Sequence, residues 1–398
     1  MPKKVIYTER LMRPIAHFSH AARIGNVVHV GATAGVYPDL RLAGVSSGRI
    51  DVGAQIHKMF NNLETALGLI GATLSDVVRI KTYVAFPRDI EIYRPIYEQQ
   101  FSSIRPAHTV VGSWDFPLPQ AAIELDAVAV TGGGNITINS GGLQSLTGCA
   151  VAGVLADGFH YATALPVDGE GQTVARSCRE QTAAALRNLH TMLAAAGLDP
   201  REVCNIHITL RDIRGRAEVE PVLEEFFGGR FPTCTVVGAP LERPDFSVSI
   251  ESIAIKGGGE SIDTPAAPLL PGRPAPAMLA GDVLFLSGQT GLSDDERRHF
   301  DVGEQTDAAW TRLHSLIEAA GFSNDTIIRT NNVLTDWRDY AGFNAGYGGN
   351  VSEPYVPRAT VLGCLDVPSA RVQIEGIAHR HGADATILQV PPPAGCRL

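Results

Sequence analysis

What this chain lacks narrows its possibilities before any motif is considered. No stretch approaches ~20 uninterrupted apolar residues, so no membrane span is expected. Basic charge is scarce. The 398 residues carry 33 Lys and Arg against 42 Asp and Glu, a formal net charge of −9. No basic patch or stripe suited to phosphates is visible, so no nucleic-acid partner is expected. Cysteine is sparse and follows no paired spacing: Cys149, Cys178, Cys204, Cys234, Cys364 and Cys396. That argues against a disulfide framework and for a reduced, cytoplasmic protein. Met1 to Arg13 is charged and lacks an apolar segment, so no signal peptide is expected. No His-x-x-x-His or Cys-x-x-Cys pair sits at metal spacing, and neither metal nor cofactor is predicted. The triplet Gly257–Gly259 is followed by neither Lys-Ser/Thr nor a helix, which makes it a joint and not a phosphate loop.

What is present is repetition. Three landmarks recur about 125 residues apart: a helix opening on Gln55, Gln181 and Gln305, its end at Gly71, Gly197 and Gly321, and a strand motif. The motif reads Pro106-Ala107-His108-Thr109-Val110-Val111-Gly112, Pro232-Thr233-Cys234-Thr235-Val236-Val237-Gly238 and Pro357-Arg358-Ala359-Thr360-Val361-Leu362-Gly363. The expected organisation is three homologous domains at 1–131, 135–256 and 278–388, with a Pro-rich linker at 260–277.

Within the first repeat, Gln55 to Ile70 has helical spacing of Ile56, Met59, Phe60, Leu63 and Leu67. Val77 to Val84, Thr109 to Gly112 and Ala121 to Val130 read as strands, Asn26 to Gly31 as another, and Ile90 to Phe101 as a second helix. Thr182 to Ala196 and Thr306 to Ala320 are the corresponding long helices. The tail after Ile387 reads as loosely held. This order predicts an α/β (α+β sandwich) fold with helices on one face of each sheet. The bare faces must then be buried, and three in one chain can close on a shared centre as a pseudotrimer. Clefts between neighbours are where ligands are expected.

The Gln-bearing helix ending in Ala-Ala-Gly, the Pro-led strand, and Ile374-Glu375-Gly376-Ile377-Ala378 together resemble the RidA (YjgF) superfamily, three times over. Leu286-Ser287-Gly288-Gln289 and Glu318-Ala319-Ala320-Gly321 carry the clearest match. The resemblance implies RidA/chorismate-mutase-like domains, pockets at domain boundaries, and hydrolysis of enamines or imines to ketoacid and ammonia. It also implies an Arg two residues after the motif Pro, clamping a carboxylate. That place holds His108, Cys234 and Ala359. Arg358, one residue earlier, is expected on the opposite face. The water-positioning Glu is matched by Glu124, with Ser249 and Gln373 in the other copies. The pocket Asn is matched by Asn344, with Arg94 and Glu220 elsewhere. Phe18 matches the pocket aromatic, with His20 two residues on, and Ser287 and Gln289 match the rim.

His108 and Glu124 are therefore the candidate catalytic pair, a titratable imidazole beside a carboxylate. Arg94 is the candidate replacement clamp. Trp114, followed by Asp115 and Phe116, is a candidate wall for an aromatic ligand. Cys234 is a candidate pocket residue and a weak nucleophile, since no basic partner is near it in sequence. The leading expectation is a cofactor-free deaminase or hydrolase acting on an enamine, imine or unsaturated carbonyl compound by general acid–base chemistry. A chorismatase-like cyclase, lyase or isomerase of specialised metabolism is the first alternative, and a ligand-binding pseudoenzyme the second. The acidic balance disfavours ribonuclease activity. The expected partner is a small-molecule substrate, with the pseudotrimer monomeric or dimeric.

Overall fold

The computed structural model describes residues 2–138, 153–270, 272–292 and 301–390. Residues 139–152 of the second repeat, 271 of the linker, 293–300 of the third repeat and the tail from 391 lie outside the described residues, as do Cys149 and Cys396. Each repeat forms one mixed sheet. In the first, the strand order is Lys3–Thr8, Ala21–Ile24, Val27–Ala34, Ile123–Val130, Val77–Val84, Ala107–Gly112. Neighbours are antiparallel except the last pair, which is parallel. The second and third sheets keep that order, ending in Thr233–Gly238 beside Val203–Leu210 and in Arg358–Leu362 beside Ile327–Leu334. The helices α1 (Val52–Leu69) and α2 (Ile90–Phe101), α3 (Cys178–Ala195) and α4 (Arg216–Phe227), α5 (Val302–Ala319) and α6 (Tyr340–Asn350) pair on one face of each sheet.

The repeated Gln does not open its helix. Asp51, Ser177 and Asp301 are the N-caps, accepting backbone N–H groups of the first turn. Gln lies one turn further in and is buried. Gln55 donates to Gln120 O and accepts from Ala122 N. Gln181 does the same with Asp245 O and Ser247 N, and Gln305 with Ser369 O and Arg371 N. The residue recurs because it latches the loop before the last long strand, satisfying backbone groups that water cannot reach. Gly71, Gly197 and Gly321 follow with φ of 77°, 70° and 75°, the left-handed turn that ends each helix.

Two expected loose segments are ordered strand. Glu260–Ile262, inside the predicted linker, pairs antiparallel with Ala277–Ala280 and edges the third sheet. Ala385–Val390 pairs in parallel with Lys3–Thr8, making the third repeat's last segment the seventh strand of the first sheet. Lys3 fastens the same seam by donating Nζ to the carbonyls of Asp325 and Ile327, both at 2.8 Å.

The helix-free faces turn toward one another. Tyr83, Val111 and Phe116 from the first repeat, Leu165, Val237 and Leu241 from the second, and Val333 and Val361 from the third form one apolar cluster. Beside it lies a charged belt. Arg79 binds Asp126 of its own repeat and Glu251 of the second. Lys81 binds the same Glu251. Arg329 of the third repeat reaches Asp126 at 2.6 Å, and His207 of the second lies 3.4 Å from Glu375 of the third. Burial alone would raise these carboxyls, but Arg79, Arg329 and Lys81 hold Asp126 and Glu251 below the ordinary range, and His207 with hydrogen bonds from Thr235 and Asn331 holds Glu375 at about 2. No helix among the described residues is long and apolar enough to cross a membrane.

Replacing Gln55 with Leu leaves the amide of buried Ala122 unsatisfied, so stability should fall by about 1–3 kcal/mol. Denaturant unfolding checks this, and an unchanged midpoint would show that the latch is dispensable.

Candidate active site

Strand register decides which residue occupies the clamp position. Ile80 pairs with His108, Ile206 with Cys234, and Thr330 with Arg358. The bond closing each strand agrees: Ser113 N to Val84 O, Ala239 N to Leu210 O and Gly363 N to Leu334 O. The third motif is therefore displaced by one residue relative to its Pro and Gly, and Arg358, not Ala359, is the counterpart of His108. The expectation that Arg358 faces away is overturned. Repeat three keeps the arginine.

Arg358 lies on the helix side of its sheet, 4% exposed. Its guanidinium carbon is 4.4 Å from the Tyr347 ring centre and 5.3 Å from that of Phe343, both on α6. Phe18, arriving from the first repeat, is the third ring at 6.0 Å. Such rings favour the cation and exclude water from it. Nη2 donates to Asn344 Oδ1, whose amide nitrogen is tied to Tyr340 O. Nη1 has no hydrogen-bond partner among the described residues. The loop carrying Phe18 is fixed across the seam by Ser19 N donating to Val356 O and Tyr355 N donating to Tyr7 Oη. His17 packs edge-on to Tyr355 at 5.1 Å.

Gly31 lets the two repeats approach here. A Cβ on it would lie 3.1 Å from the backbone N and O of Arg358. Its counterparts at the other seams carry side chains that fill the space. Thr163 meets Thr109 hydroxyl to hydroxyl, and Ser287 accepts from Cys234 N and donates to Ala275 O.

Glu124 lies on the inward face of the first sheet, directly opposite Tyr83. Gln373, the counterpart of Glu124 in the third repeat, packs against Gly288, whose N–H donates to Thr235 across the second–third seam. The same register puts Glu124 on the first repeat's side of the third–first seam. Burial pushes its carboxyl up to about 8. At neutral pH it holds a proton.

The expected His108–Glu124 pair is not made. Strand alternation puts His108 under the helices, with Val110 and Leu125, and Glu124 on the other face with Asp126. His108 Nε2 bonds Thr82 Oγ1 and Tyr93 Oη, and the ring stacks on Tyr97 at 4.1 Å. Burial pushes its pKa down to about 3, leaving a neutral core histidine. Cys234 is buried with its thiol raised to about 12, which argues against a thiolate nucleophile. Ser287 and Gln289, whose amide donates to Ser287 O, sit with Cys234 at the second–third seam. Arg94 is 3.9 Å from Glu91 and sits beside Glu242 of the second repeat. His20 bonds Met12 O at 2.8 Å and meets Phe18 edge-on. Trp114 is 48% exposed and follows Ser113, whose hydroxyl accepts from Leu362 N across the third–first seam. Phe18, Asn344 and Arg358 thus converge, while His108 and Arg94 lie at one other seam and Cys234, Ser287 and Gln289 at the remaining one.

Those two seams supply their own acids. Arg94 faces Glu242, whose burial raises its pKa to about 7. Arg216 is bound by Asp366 and Glu220, and Arg273 also by Glu220. Gly112 N donates to Pro240 O and Gly238 N to Cys364 O, which aligns Glu242 with Asp366. The matching residue at the third–first seam is Phe116.

Three matches cover this chain with one family profile, described as endoribonuclease L-PSP, at residues 8–131, 151–256 and 266–380. RutC family protein y4sK of Sinorhizobium fredii is 33% identical over 124 residues, 30% of this chain and 95% of that protein. The 2-iminobutanoate/2-iminopropanoate deaminase of Dermatophagoides farinae is 28% identical over 129 residues, 32% of this chain and 97% of its own length. A chorismatase crystal structure superposes with a TM-score of 0.52 at 14% identity, covering 76% of this chain and 93% of that one, a likeness of fold alone. The chain belongs to the endoribonuclease L-PSP family, in the RidA (YjgF) superfamily, as a fusion of three RidA-like repeats.

Because the folded Glu124 carboxyl titrates near 8 and an unfolded one near its ordinary 4.5, the native state holds the extra proton between those values. Stability from this group falls as pH rises through that window. Glu124→Gln should therefore melt progressively higher than wild type from pH 5 to pH 9. A gap that stays constant with pH would refute the raised value.

Proposed function

We propose that this chain is a cofactor-free enzyme acting on small imino or enamino carboxylates at the seam between its third and first repeats. The observation that carries this reading is Arg358. Its Nη1 is buried with no hydrogen-bond partner among the described residues, and Phe116 stands where the other seams place an acid. A planar guanidinium in that state suits a carboxylate. The aromatic rings of Phe18, Phe343 and Tyr347 around it favour a short apolar substituent over a second charge.

Glu124 supplies the proton inventory. Protonated at neutral pH, it delivers a proton to the imine nitrogen, or to the β-carbon of an enamine to give the imine. Water adds to the electrophilic carbon, and the carboxylate now formed accepts the proton that water loses. Collapse of the carbinolamine forms the C=O bond, breaks the C–N bond and expels ammonia. The product is a 2-oxo acid. The same group acts first as acid and then as base, which suits a pKa close to the working pH.

Assays on 2-imino acids made in situ by an amino-acid oxidase test the assignment. Arg358→Ala should raise KM at least tenfold, with Arg358→Lys in between, and Glu124→Gln should lower kcat by about 10²–10⁴-fold. His108→Asn, in a folded protein, should retain kcat/KM within about threefold, because His108 stays away from the reacting atoms. Loss of turnover in the His108 variant with Arg358→Ala unaffected would overturn the assignment.

A further inference from the structure

A cavity of about 180 Å³ lies on the pseudo-threefold axis, lined by all three repeats. Its mouth is formed by the turn 24–27 of the first repeat, Asp157 of the second and Val283 of the third. None of Arg358, Asn344, Phe18 or Glu124 lines it. The inner wall shows what threefold-equivalent positions become once they vary separately. His29, Tyr161 and Phe285 occupy one such set, and Val128, Ile253 and Ile377 another. Phe159 meets Phe285 edge-on at 6.2 Å across the second–third seam. The wall is thus aromatic and aliphatic. An apolar cavity of ~150 Å³ already accepts a benzene-sized guest.

The polar floor is the charged belt. Arg79, Arg329, Glu251 and Glu375 face the cavity, but each is engaged by another member of the belt. Asp126 and Glu251 are paired with three permanent cations, Arg79, Lys81 and Arg329, and Glu375 is held by His207 and Asn331. A guest with a full charge would have to open one of these buried pairs. The unused polar group on the cavity face is His29 Nδ1, which has no hydrogen-bond partner among the described residues and belongs to a residue 5% exposed. Burial, with Arg329 and Arg79 nearby, holds the His29 ring neutral. An unpaired buried ring nitrogen is costly unless a partner arrives.

We propose that this axial cavity is a second small-molecule site, distinct from the Arg358 seam, for an uncharged molecule with a single ring and one hydrogen-bonding head such as an alcohol, phenol or amide. The ring occupies the aromatic wall and the head meets His29. Since the wall is drawn from all three repeats, occupancy ties them together and stabilises the closed chain.

Titration of the full chain with benzyl alcohol, phenylacetate, benzylamine and toluene, read by calorimetry and by thermal shift, tests this. Benzyl alcohol should bind and raise Tm, with both charged analogues at least tenfold weaker. Val283→Trp should block the mouth and abolish binding. His29→Phe, which keeps a ring and removes the nitrogen, should weaken benzyl alcohol several-fold and leave toluene unchanged. Failure of benzyl alcohol to bind wild type would overturn the proposal. So would charged analogues of equal affinity, or benzyl alcohol affinity unaltered in His29→Phe.

Discussion

The buried ionic belt around the pseudo-threefold axis is the constraint from which the rest of this architecture follows. Arg79 is neutralised partly by a carboxylate of the next repeat, and Arg329 by one from the first. A buried charge deprived of its partner costs several kcal/mol. No repeat can therefore keep its helix-free face as it stands without the other two. The belt also bears on orientation, because its ion pairs join specific residues across every seam. The apolar cluster containing Tyr83, Val237 and Val333 then seals one side of the belt. The terminal strand Ala385–Val390 closes the circuit by joining the sheet in which the chain began.

Closure creates three seams of the same ancestry, and a single polypeptide lets each seam vary alone. The clamp position reads His108, Cys234 and Arg358. The close-approach position reads Thr163, Ser287 and Gly31, and the loop position Glu242, Asp366 and Phe116. Only at the third–first seam do an arginine, a glycine and a non-acidic loop residue coincide. At the first–second seam a histidine is consumed by Thr82, Tyr93 and Tyr97 in core packing. At the second–third seam the cleft is cross-linked by Arg216, Asp366, Glu220 and Arg273. Two seams are thus filled by their own side chains, while at the third–first seam Arg358 meets no acid at the matching position.

Much of the fold was legible because it rests on periodicity. The α2 helix runs over Ile90–Phe101 as its spacing predicts, and Val77–Val84 is a strand with the predicted ends. The helix-end glycines could be read because a left-handed turn demands them. The site was less legible, and the cause is specific. Anchoring the third motif on Pro357 and Gly363 displaced it by one residue, and on a strand one residue is the difference between two faces. Arg358 was thereby assigned to the wrong side, and the missing clamp was sought at His108 and Arg94. Phe18 and Asn344 were singled out separately, but nothing in a linear sequence tells which repeat meets which. The Gln of each long helix looked like an initiator because its role, holding a loop some 65 residues away, is tertiary. Glu260–Ile262 and Ala385–Val390 escaped notice for the same reason: short edge strands are specified by the neighbour they pair with.

The central claim is that one seam works and that Arg358 defines it. The most direct measurement is a crystal structure of the full chain grown with 2-oxobutanoate, a small 2-oxo carboxylate. Density for its carboxylate on Arg358, between α6 and the Phe18 loop, is the expected result. A carboxylate bound instead beside His108 and Arg94, or beside Cys234, with Arg358 bare, would contradict it.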